Sequence, residues 1–206
     1  EAIDELCSNG HNPYYIPVGG SVPLGAAGYL NAMLEIAYQS ASEGIQFDYL
    51  IHATGSGGTQ AGLVMGAKAF NTNIKVIGAA VGWGEKREQV EKVSKIIDDS
   101  KETFELNFNY NSDDVIIYNE YVGGGYGHVS EQKLEAVKIM AQTEGIMIDP
   151  VYTATAMACL IDLVRKGELT EDHNILFLHT GGAVALYPYK EPIQAFLQQK
   201  PLPWKI

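Results

Sequence analysis

The residues best suited to chemistry lie in one short segment, Thr54-Gly55-Ser56-Gly57-Gly58-Thr59. Glycines allow the backbone to curl so that successive N–H groups point to one spot, and Ser56 and Thr59 add hydroxyl donors. A helix that begins near Gln60 would add its positive N-terminal end. A phosphate dianion accepts hydrogen bonds from all of these donors, so the segment predicts a phosphate-binding turn. The alternative is a tight turn between a strand and a helix that binds no ligand.

The phosphate group expected here is that of a compact cofactor. No lysine follows the glycines at the position that a P-loop requires, and Gln60 stands where a dinucleotide fingerprint has its last glycine. The next apolar run, 75–80, ends without the acidic residue that would bind a ribose. The sequence therefore favours a cofactor with a single phosphate over a dinucleotide.

The elements that must position this turn are short apolar runs that alternate with amphipathic stretches. The runs predict five strands, at 14–18, 48–53, 75–81, 115–118 and 174–179. Helical spacing of apolar residues predicts helices after Pro23, over 60–70, around 90–97, after an N-cap at Ser130, and over 157–164. Residues 101–114 have weak patterning and indicate a loop.

This alternation is typical of an α/β fold with a parallel sheet and helices on both faces. Ligands of such sheets bind at the carboxyl ends of the strands. The glycine turn and Gly181-Gly182 each follow an expected strand, so we expect them to share one crevice. In the helix around 90–97, Glu88 with Lys92 and Glu91 with Lys95 have the spacing of ion pairs.

The composition of the sequence limits the size of the domain, the kinds of partner and the compartment that we expect. The 206 residues are 46% apolar, which suits one large domain or one domain with part of another. The net charge of −11 argues against binding to nucleic acid or to an anionic membrane, and no apolar run approaches membrane-spanning length. Cys7 and Cys159 are far apart and have no metal-ligand neighbours, so we expect no metal site and a reducing, cytoplasmic location.

Six segments, in a fixed order, cover nearly the whole sequence and form one set. They are 15–21 with Leu24-Gly25, 47–62, 76–78, 125–127, 144–153 and 175–182. Together they resemble the C-terminal portion of the pyridoxal-phosphate enzymes that include D-cysteine desulfhydrase and 1-aminocyclopropane-1-carboxylate deaminase. The resemblance implies the large α/β domain of a tryptophan-synthase-β-like enzyme of fold type II, and pyridoxal 5'-phosphate as the cofactor.

The resemblance also implies roles for single residues. The cofactor phosphate would be held by the turn, and Thr180 and Gly181 would flank the cofactor ring; the cofactor-binding residues are Thr54, Gly55, Ser56, Gly57, Gly58, Thr59, Thr153, Thr180 and Gly181. Tyr126 and Tyr152 match catalytic tyrosines that line the substrate pocket. Taken alone, either tyrosine could be structural, as could His52, Cys159 and His179, which we expect to be buried.

Thr153 corresponds to the position that faces the pyridine nitrogen, where deaminase-like members carry Glu and desulfhydrase-like members carry Thr. A hydroxyl supports a pyridinium less than a carboxylate does, and a weaker electron sink suffices when a good leaving group such as thiolate departs. Thr153 therefore favours β-elimination. Three departures from the family pattern leave the substrate open: Ala154-Thr155, Val184 and Gly123-Gly124-Gly125.

The lysine that binds the cofactor in this family lies in an N-terminal segment that no part of this sequence matches. Ser8-Asn9-Gly10-His11 resembles the element that follows that lysine, but it contains an extra glycine and has no lysine before it. We expect residues 1–13 to be the end of a truncated preceding segment and 14–206 to be the C-terminal cofactor-phosphate-binding domain. This chain alone should then be inactive, because the Schiff-base lysine is absent.

The expected function is that of the C-terminal part of a lyase that converts D-cysteine to pyruvate, ammonia and hydrogen sulfide. The alternatives are a 1-aminocyclopropane-1-carboxylate deaminase and a non-catalytic fragment that binds a phosphate ligand. The expected partners are a small amino-acid substrate, the missing lysine-bearing segment and, from the resemblance alone, a second copy in a homodimer.

Overall fold

The computed structural model describes residues 2–82 and 84–202. Four strands alternate with helices along the chain: α1 Ala2–Ser8, α2 Pro23–Glu43, β1 Tyr49–Thr54, α3 Gly58–Ala69, β2 Lys75–Ala80, α4 Lys86–Thr103, β3 Ile116–Tyr118, α5 Glu131–Thr143, α6 Thr153–Arg165, β4 Ile175–Phe177 and α7 Lys190–Leu197. Three single 3-10 turns lie at Val18–Gly20, Ser112–Asp114 and Ala183–Leu186.

The four strands form one parallel sheet in the order β3-β2-β1-β4. Its register pairs Leu50 with Val76, Ile51 with Phe177, and Gly78 with Ile117. The crossovers between these parallel strands are helical, as parallel pairing requires. The prediction of an α/β fold with a parallel sheet is confirmed.

Both faces of the sheet are covered, and each cover forms its own apolar core. Leu50 and Val76 face a core built with α2, α3 and α4. Ile51 and Ile77 face a second core built with α5 and α6. Successive side chains of a strand point to opposite faces, which explains why neighbouring residues belong to different cores. The strands are therefore continuous apolar runs, as expected for a sheet that is buried on both sides.

Helices α2 and α3 approach each other closely because α3 presents glycines to its neighbour. A Cβ placed on Gly62 would lie 2.3 Å from the carbonyl oxygen of Ala26, and one on Gly66 would lie 2.5 Å from Cβ of Met33. Neither distance is compatible with a side chain, so the two backbones set the spacing of these helices. The packing holds α3, and with it the glycine turn at its N-terminus, in a fixed place.

The helix ends follow the sequence signals, but the charge pairs on α4 do not. Ser130 caps α5 by accepting from the Lys133 amide, as predicted. On α4 the ion pairs are Arg87 with Glu91 at 2.7 Å and Lys95 with Asp99 at 3.0 Å. The expected pairs of Glu88 with Lys92 and Glu91 with Lys95 are wrong, because Glu88 turns back to accept from the Glu85 amide in a capping box.

Two further expectations are wrong. Residues 14–18 are not a strand: Pro13 and Pro17 supply no N–H for a ladder, and the side chains of Tyr14, Tyr15, Ile16 and Val18 are 66–89% exposed. The stretch 101–114 is not all loop, because α4 continues to Thr103. The proposed boundary after residue 13 stays a prediction, and α1 ends before Gly10 as the sequence indicated.

Among residues 2–82 and 84–202, no helix has both the length and the apolar character needed to cross a lipid bilayer.

Candidate functional site

A cavity of about 1060 Å³ lies at the carboxyl ends of the strands. The turn between β1 and α3 lines it with Gly55, Ser56 and Thr59, and the chain that follows β4 lines it with Thr180 to Gly182. The two glycine loops therefore share one crevice, as the sequence predicted. Tyr126 and Tyr152 line the same cavity. A second cavity of about 600 Å³, bounded by Lys75 and Asn107, lies at the amino end of β2 and has no glycine loop in its described lining.

The turn before α3 presents backbone N–H groups without acceptors. Gly57 adopts a left-handed conformation with φ of 95° and precedes the first residue of the helix. Among the described residues, the amides of Ser56, Gly57, Thr59 and Gln60 have no hydrogen-bond partner. The first amides of a helix are free of intrahelical bonds, and they attract anions together with the helix dipole.

The Ser21 side chain makes hydrogen bonds to the turn beside these free amides. Its hydroxyl accepts from the Gly58 amide at 3.2 Å and donates to the Ser56 hydroxyl at 2.6 Å. Ser21 was not among the site residues expected from sequence. The available signal was its place after Gly19-Gly20, a pair of glycines whose positive φ angles bring the chain back over the turn.

The glycines of the turn are required because the space beside them is already filled. A Cβ on Gly58 would lie 2.8 Å from the Ser21 hydroxyl, and one on Gly57 would lie 3.2 Å from a methyl group of Val93. At Gly55 the same distance, 3.2 Å, separates a Cβ from Val81. Side chains here would push the turn away from its neighbours. The free amides and the absence of side chains together fit a phosphate group.

Positive charge lies at the same end of the cavity. Lys92 and Lys95 of α4 both line it. The ammonium of Lys95 is paired with Asp99, whereas Lys92 has no ion-pair partner among the described residues. The side chain of Lys92 runs beside Gly57, with its Cδ 3.8 Å from the position of a Cβ there. No feature of the sequence indicated that Lys92 lies in the site, since its only recognisable property was helical spacing from Glu88.

Tyr126 and Tyr152 form a pair within the cavity. Their rings are perpendicular with centroids 6.0 Å apart, and their hydroxyls share a hydrogen bond. The side chains are 57% and 37% exposed, respectively. The hydrogen bond with Tyr126, followed by burial, raises the pKa of Tyr152 to about 12. Tyr152 therefore stays a neutral phenol at and well above physiological pH.

Asp149 holds the residues that lead into α6, including Tyr152, the N-cap of this helix. One carboxylate oxygen accepts from the amides of Val151 and Tyr152, both at 2.8 Å. The other accepts from the Thr153 amide at 2.8 Å and its hydroxyl at 2.7 Å. A Cβ on Gly182 would lie 2.7 Å from this second oxygen, so the loop after β4 packs directly against the carboxylate. Asp149 thus joins Tyr152 to the glycine pair across the cavity.

The remaining expected site residues lie behind the cavity surface. Thr153 is buried, and its hydroxyl accepts from the Asp149 amide while it donates to the Asp149 carboxylate. Thr54 is buried and its carbonyl accepts from the Val81 amide. Gly57 and Gly58 are buried in the turn. The suggested contact of Thr153 with a cofactor ring stays a prediction.

Three residues with reactive side chains are structural. The expectation that His179 is buried is wrong: the residue is exposed, because β4 has already ended. Its Nδ1 accepts from the Gly181 amide at 3.1 Å, and its Nε2 donates to the Met147 carbonyl at 3.0 Å. It thereby supports the loop. His52 is fully buried, and burial lowers its pKa to about 4. Cys159 is buried in the core, where desolvation raises its thiol pKa to about 12.

Comparison with known proteins identifies relatives over most of the chain. The family model described as "Pyridoxal-phosphate dependent enzyme" matches residues 1–181. A protein of Pyrococcus furiosus, provisionally named 1-aminocyclopropane-1-carboxylate deaminase, is 40% identical over 198 residues, which are 96% of this chain and 58% of that protein. D-cysteine desulfhydrase of Klebsiella pneumoniae (strain 342) is 39% identical over 193 residues, with coverage of 92% and 57%.

A solved structure described as the ACC deaminase homologue superimposes on this chain with a TM-score of 0.84 at 37% identity. The match covers 95% of this chain and 57% of that one. The chain thus spans less than three fifths of the length of the relatives that it matches.

Proposed function

Because this chain belongs to the pyridoxal-phosphate dependent enzyme family, whose cofactor is pyridoxal 5'-phosphate, we propose that the protein containing it is a lyase. The reaction is β-elimination from a small amino acid, with D-cysteine as the first candidate substrate. D-cysteine and water give pyruvate, ammonia and hydrogen sulfide, so the carbon–sulfur bond breaks and thiolate leaves. The relatives named for D-cysteine desulfhydration and for deamination of 1-aminocyclopropane-1-carboxylate support this class.

The observation that carries the proposal is the arrangement of one cavity. Unpaired amides of the turn lie at one end, and the hydroxyls of Tyr126 and Tyr152 reach into the same space. A cavity of this volume accommodates a cofactor together with a small substrate. The amides of residues 56–60, the Thr59 hydroxyl and the Lys92 ammonium would hold the phosphate. When bound, the cofactor supplies an electron sink for the α-carbon of the amino acid.

The tyrosine pair would bind the substrate and move a proton. A neutral phenol donates a hydrogen bond to a carboxylate or to a departing thiolate, and the hydrogen bond to Tyr126 holds Tyr152 in one orientation. Thr180 and Gly181 would close the cavity beside the cofactor and exclude water. Thr153 offers no carboxylate to the cofactor ring, which favours a reaction with a good leaving group.

A lysine that binds the cofactor aldehyde must come from outside this chain in our proposal. Lys92 and Lys95 are the lysines in the described lining of the cavity, and Lys92 lies at the phosphate end, beside Gly57. We therefore assign the lysine to a separate segment, which would be a partner of this chain. Reduction of the bound cofactor with borohydride, followed by peptide mass analysis, tests this: label on a lysine of this chain would refute it.

The substrate is tested by assaying the full-length protein with D-cysteine, L-cysteine and 1-aminocyclopropane-1-carboxylate. We expect sulfide and pyruvate to form in equal amounts from D-cysteine. Turnover of the cyclopropane substrate alone would instead establish ring-opening deamination. In that case Thr153→Glu should raise the deaminase rate, since a carboxylate strengthens the electron sink.

Binding of a phosphate ligand by this chain alone is tested separately from the reaction of the full-length protein. The free amides of the turn also support a non-catalytic module that binds a phosphate ligand. Calorimetry with pyridoxal 5'-phosphate and with pyridoxal measures the contribution of the phosphate; we expect measurable affinity only for the phosphorylated compound. Gly58→Ala should weaken it at least tenfold, because its Cβ would displace the turn, whereas the exposed Gly28→Ala should not. Equal affinity for both compounds would rule out the turn as the phosphate site.

We also propose a homodimer and a reducing cytoplasm as the setting. Both cysteines are free, Cys7 on the surface and Cys159 in the core, which supports a reducing compartment. The charge of −11 argues against nucleic-acid and anionic-membrane partners. Sedimentation of the full-length protein tests the dimer.

A further inference from the structure

Lys133 is a buried cation that the proposed reaction does not use. It lies on α5, and its side chain is 1% exposed. Its ammonium donates to the carbonyl of Val122 at 2.9 Å and to the carbonyl of His128 at 2.8 Å. Among the described residues, no carboxylate lies within ion-pair distance of it. Burying a charged group costs free energy unless its hydrogen-bond donors find acceptors. The two carbonyls are the acceptors that offset this cost for the Lys133 ammonium.

The two carbonyls mark the ends of the loop that carries Tyr126. Between them, Gly123, Gly125 and Gly127 have φ angles of 72°, 129° and 77°. Glycine adopts these conformations readily, but it adopts many others as well. The loop therefore has little preference of its own for one shape. A single donor group that bonds to residues 122 and 128 together fixes the distance between the ends.

We propose that Lys133 is a positioning residue that holds the 123–127 loop in the shape that places the Tyr126 hydroxyl against that of Tyr152. The inference deepens the proposed function, because Tyr126 and Tyr152 are the residues assigned to the substrate. Lys133 acts through the loop and does not itself line the cavity. Tyr189 adds a second attachment by donating from its hydroxyl to the Gly127 carbonyl at 2.6 Å.

The alternative is that Lys133 only stabilises the packing of α5 against the sheet. An apolar side chain of similar size would serve that purpose without the cost of desolvating a cation. Desolvation lowers the pKa of Lys133 to about 8, and the negative charge of Asp149 opposes that change. The ammonium is therefore retained at neutral pH despite burial, in a place where its only described partners are the loop carbonyls.

The state of Tyr152 reports on this role without an activity assay. Because the hydrogen bond with Tyr126 is the main reason for the raised pKa of Tyr152, release of Tyr126 should return that pKa from about 12 toward about 10. In protein with ¹³Cζ-labelled tyrosine, NMR follows the ionisation of each ring. We expect Tyr152 in Lys133→Met to ionise between about pH 10 and 11, where the unmodified chain keeps it neutral. Lys133 is an uncharged amine at that pH, and its two N–H groups still suffice for the two carbonyls. Tyr126→Phe provides the reference for full release.

Lys138→Met is the matched control, because it removes the same charge from an exposed site on the same helix. It should leave the titration of Tyr152 unchanged. A Tyr152 titration in folded Lys133→Met that equals that of the unmodified chain would overturn the proposal.

A second measurement covers the case in which Lys133→Met does not fold. NMR of the lysine ammonium in the unmodified chain should detect scalar couplings across the hydrogen bonds to the Val122 and His128 carbonyl carbons. A freely exchanging ammonium with no such coupling would contradict the inference. In the full-length enzyme, Lys133→Met should lower kcat/KM about tenfold, as the loss of one positioned group does. A shifted Tyr152 in a protein without lyase activity would refute the proposed function but leave the positioning role intact.

Discussion

Among single side chains, Asp149 makes the densest set of contacts near the site. It accepts four hydrogen bonds from residues 151–153, at the turn into α6, while its own amide donates to Thr153. The carboxylate thereby supplies the acceptors that the N-terminus of a helix lacks, although it stands before the helix rather than at the cap itself. Tyr152 owes its position to this turn.

Replacement of Asp149 should therefore affect stability and site geometry together. We expect Asp149→Ala to lower the free energy of unfolding by about 3 kcal/mol, since several buried amides lose a charged acceptor. Urea unfolding measures this change. The exposed Asp172→Ala serves as the control and should change stability by less than about 0.5 kcal/mol. Similar losses in the free energy of unfolding for both variants would show that the Asp149 hydrogen bonds stabilise the fold no more than an exposed carboxylate does.

The buried His52 predicts acid sensitivity. Its pKa is about 4 in the folded chain and near 6.5 when unfolded, so the unfolded state binds a proton first as the pH falls. Its stabilising effect is complete above pH 6.5 and is lost between pH 6.5 and 4, with a total on the order of 3 kcal/mol. His52→Phe should remove this loss, as measured by urea unfolding at several pH values. The exposed His11→Gln should retain it.

Residue types alone identified the donors of the turn but not their surroundings. Thr59 and Ser56 were recognisable because small polar residues and glycines are adjacent in sequence. Ser21 and Lys92 were not, because both reach the turn from other elements, and such contacts depend on how those elements pack. The hydrogen bond between Tyr126 and Tyr152 likewise joins residues that are 26 positions apart.

Among the elements, the pair α2 and α3 shows how glycine sets a distance. Gly62 faces the α2 backbone, so alanine at that position must push the helices apart. We expect Gly62→Ala to destabilise the chain by about 1–3 kcal/mol, despite the better helix propensity of alanine. Gly28→Ala in α2 has open space and should stabilise by about 0.5–1 kcal/mol. Thermal unfolding of the two variants compares these opposite signs; stabilisation by both would mean that α2 can move without cost.

Four of the five expected strands exist because each is an apolar run that pairs with a neighbouring strand; β1 and β2 are mostly buried, and the edge strands β3 and β4 are partly buried. The segment 14–18 is also rich in apolar residues. Composition and local spacing do not show whether a neighbouring strand is available to pair with it. Pro17 within the segment and Pro13 just before it were the physical signal against a hydrogen-bonded ladder. The same limitation applies to α4, whose polar last turn is held by the Lys101 ammonium bonded to the Phe108 carbonyl, a contact that local patterning cannot reveal.

On the scale of the whole molecule, the chain combines a net charge of −11 with an exposed apolar segment at residues 14–18. The side chains of Tyr14, Tyr15, Ile16 and Val18 are 66–89% exposed, although Tyr15 and Val18 also line the open cavity, and Leu24 is 69% exposed. Contiguous exposed apolar side chains mark surfaces that associate. Over two fifths of the length of these relatives lies outside the part matched here.

The isolated chain should therefore self-associate through this segment. Sedimentation velocity at increasing concentration should show species larger than a monomer, and Tyr15→Ser with Ile16→Ser should reduce them. Tyr187→Ser, a change of an equally exposed tyrosine elsewhere, should not. A chain that stays monomeric at high micromolar concentration would argue against a role for the segment in association.

The bond between the Ser21 hydroxyl and the Gly58 amide has a consequence for affinity. Ser21 occupies a donor that an arriving phosphate would use, so it is an internal competitor for the ligand. The apparent affinity is then the intrinsic one multiplied by the fraction of molecules in which Ser21 is displaced. Ser21→Ala should tighten the binding of pyridoxal 5'-phosphate several-fold, mainly through faster association. Weaker binding in Ser21→Ala would instead make the hydroxyl a ligand-binding group.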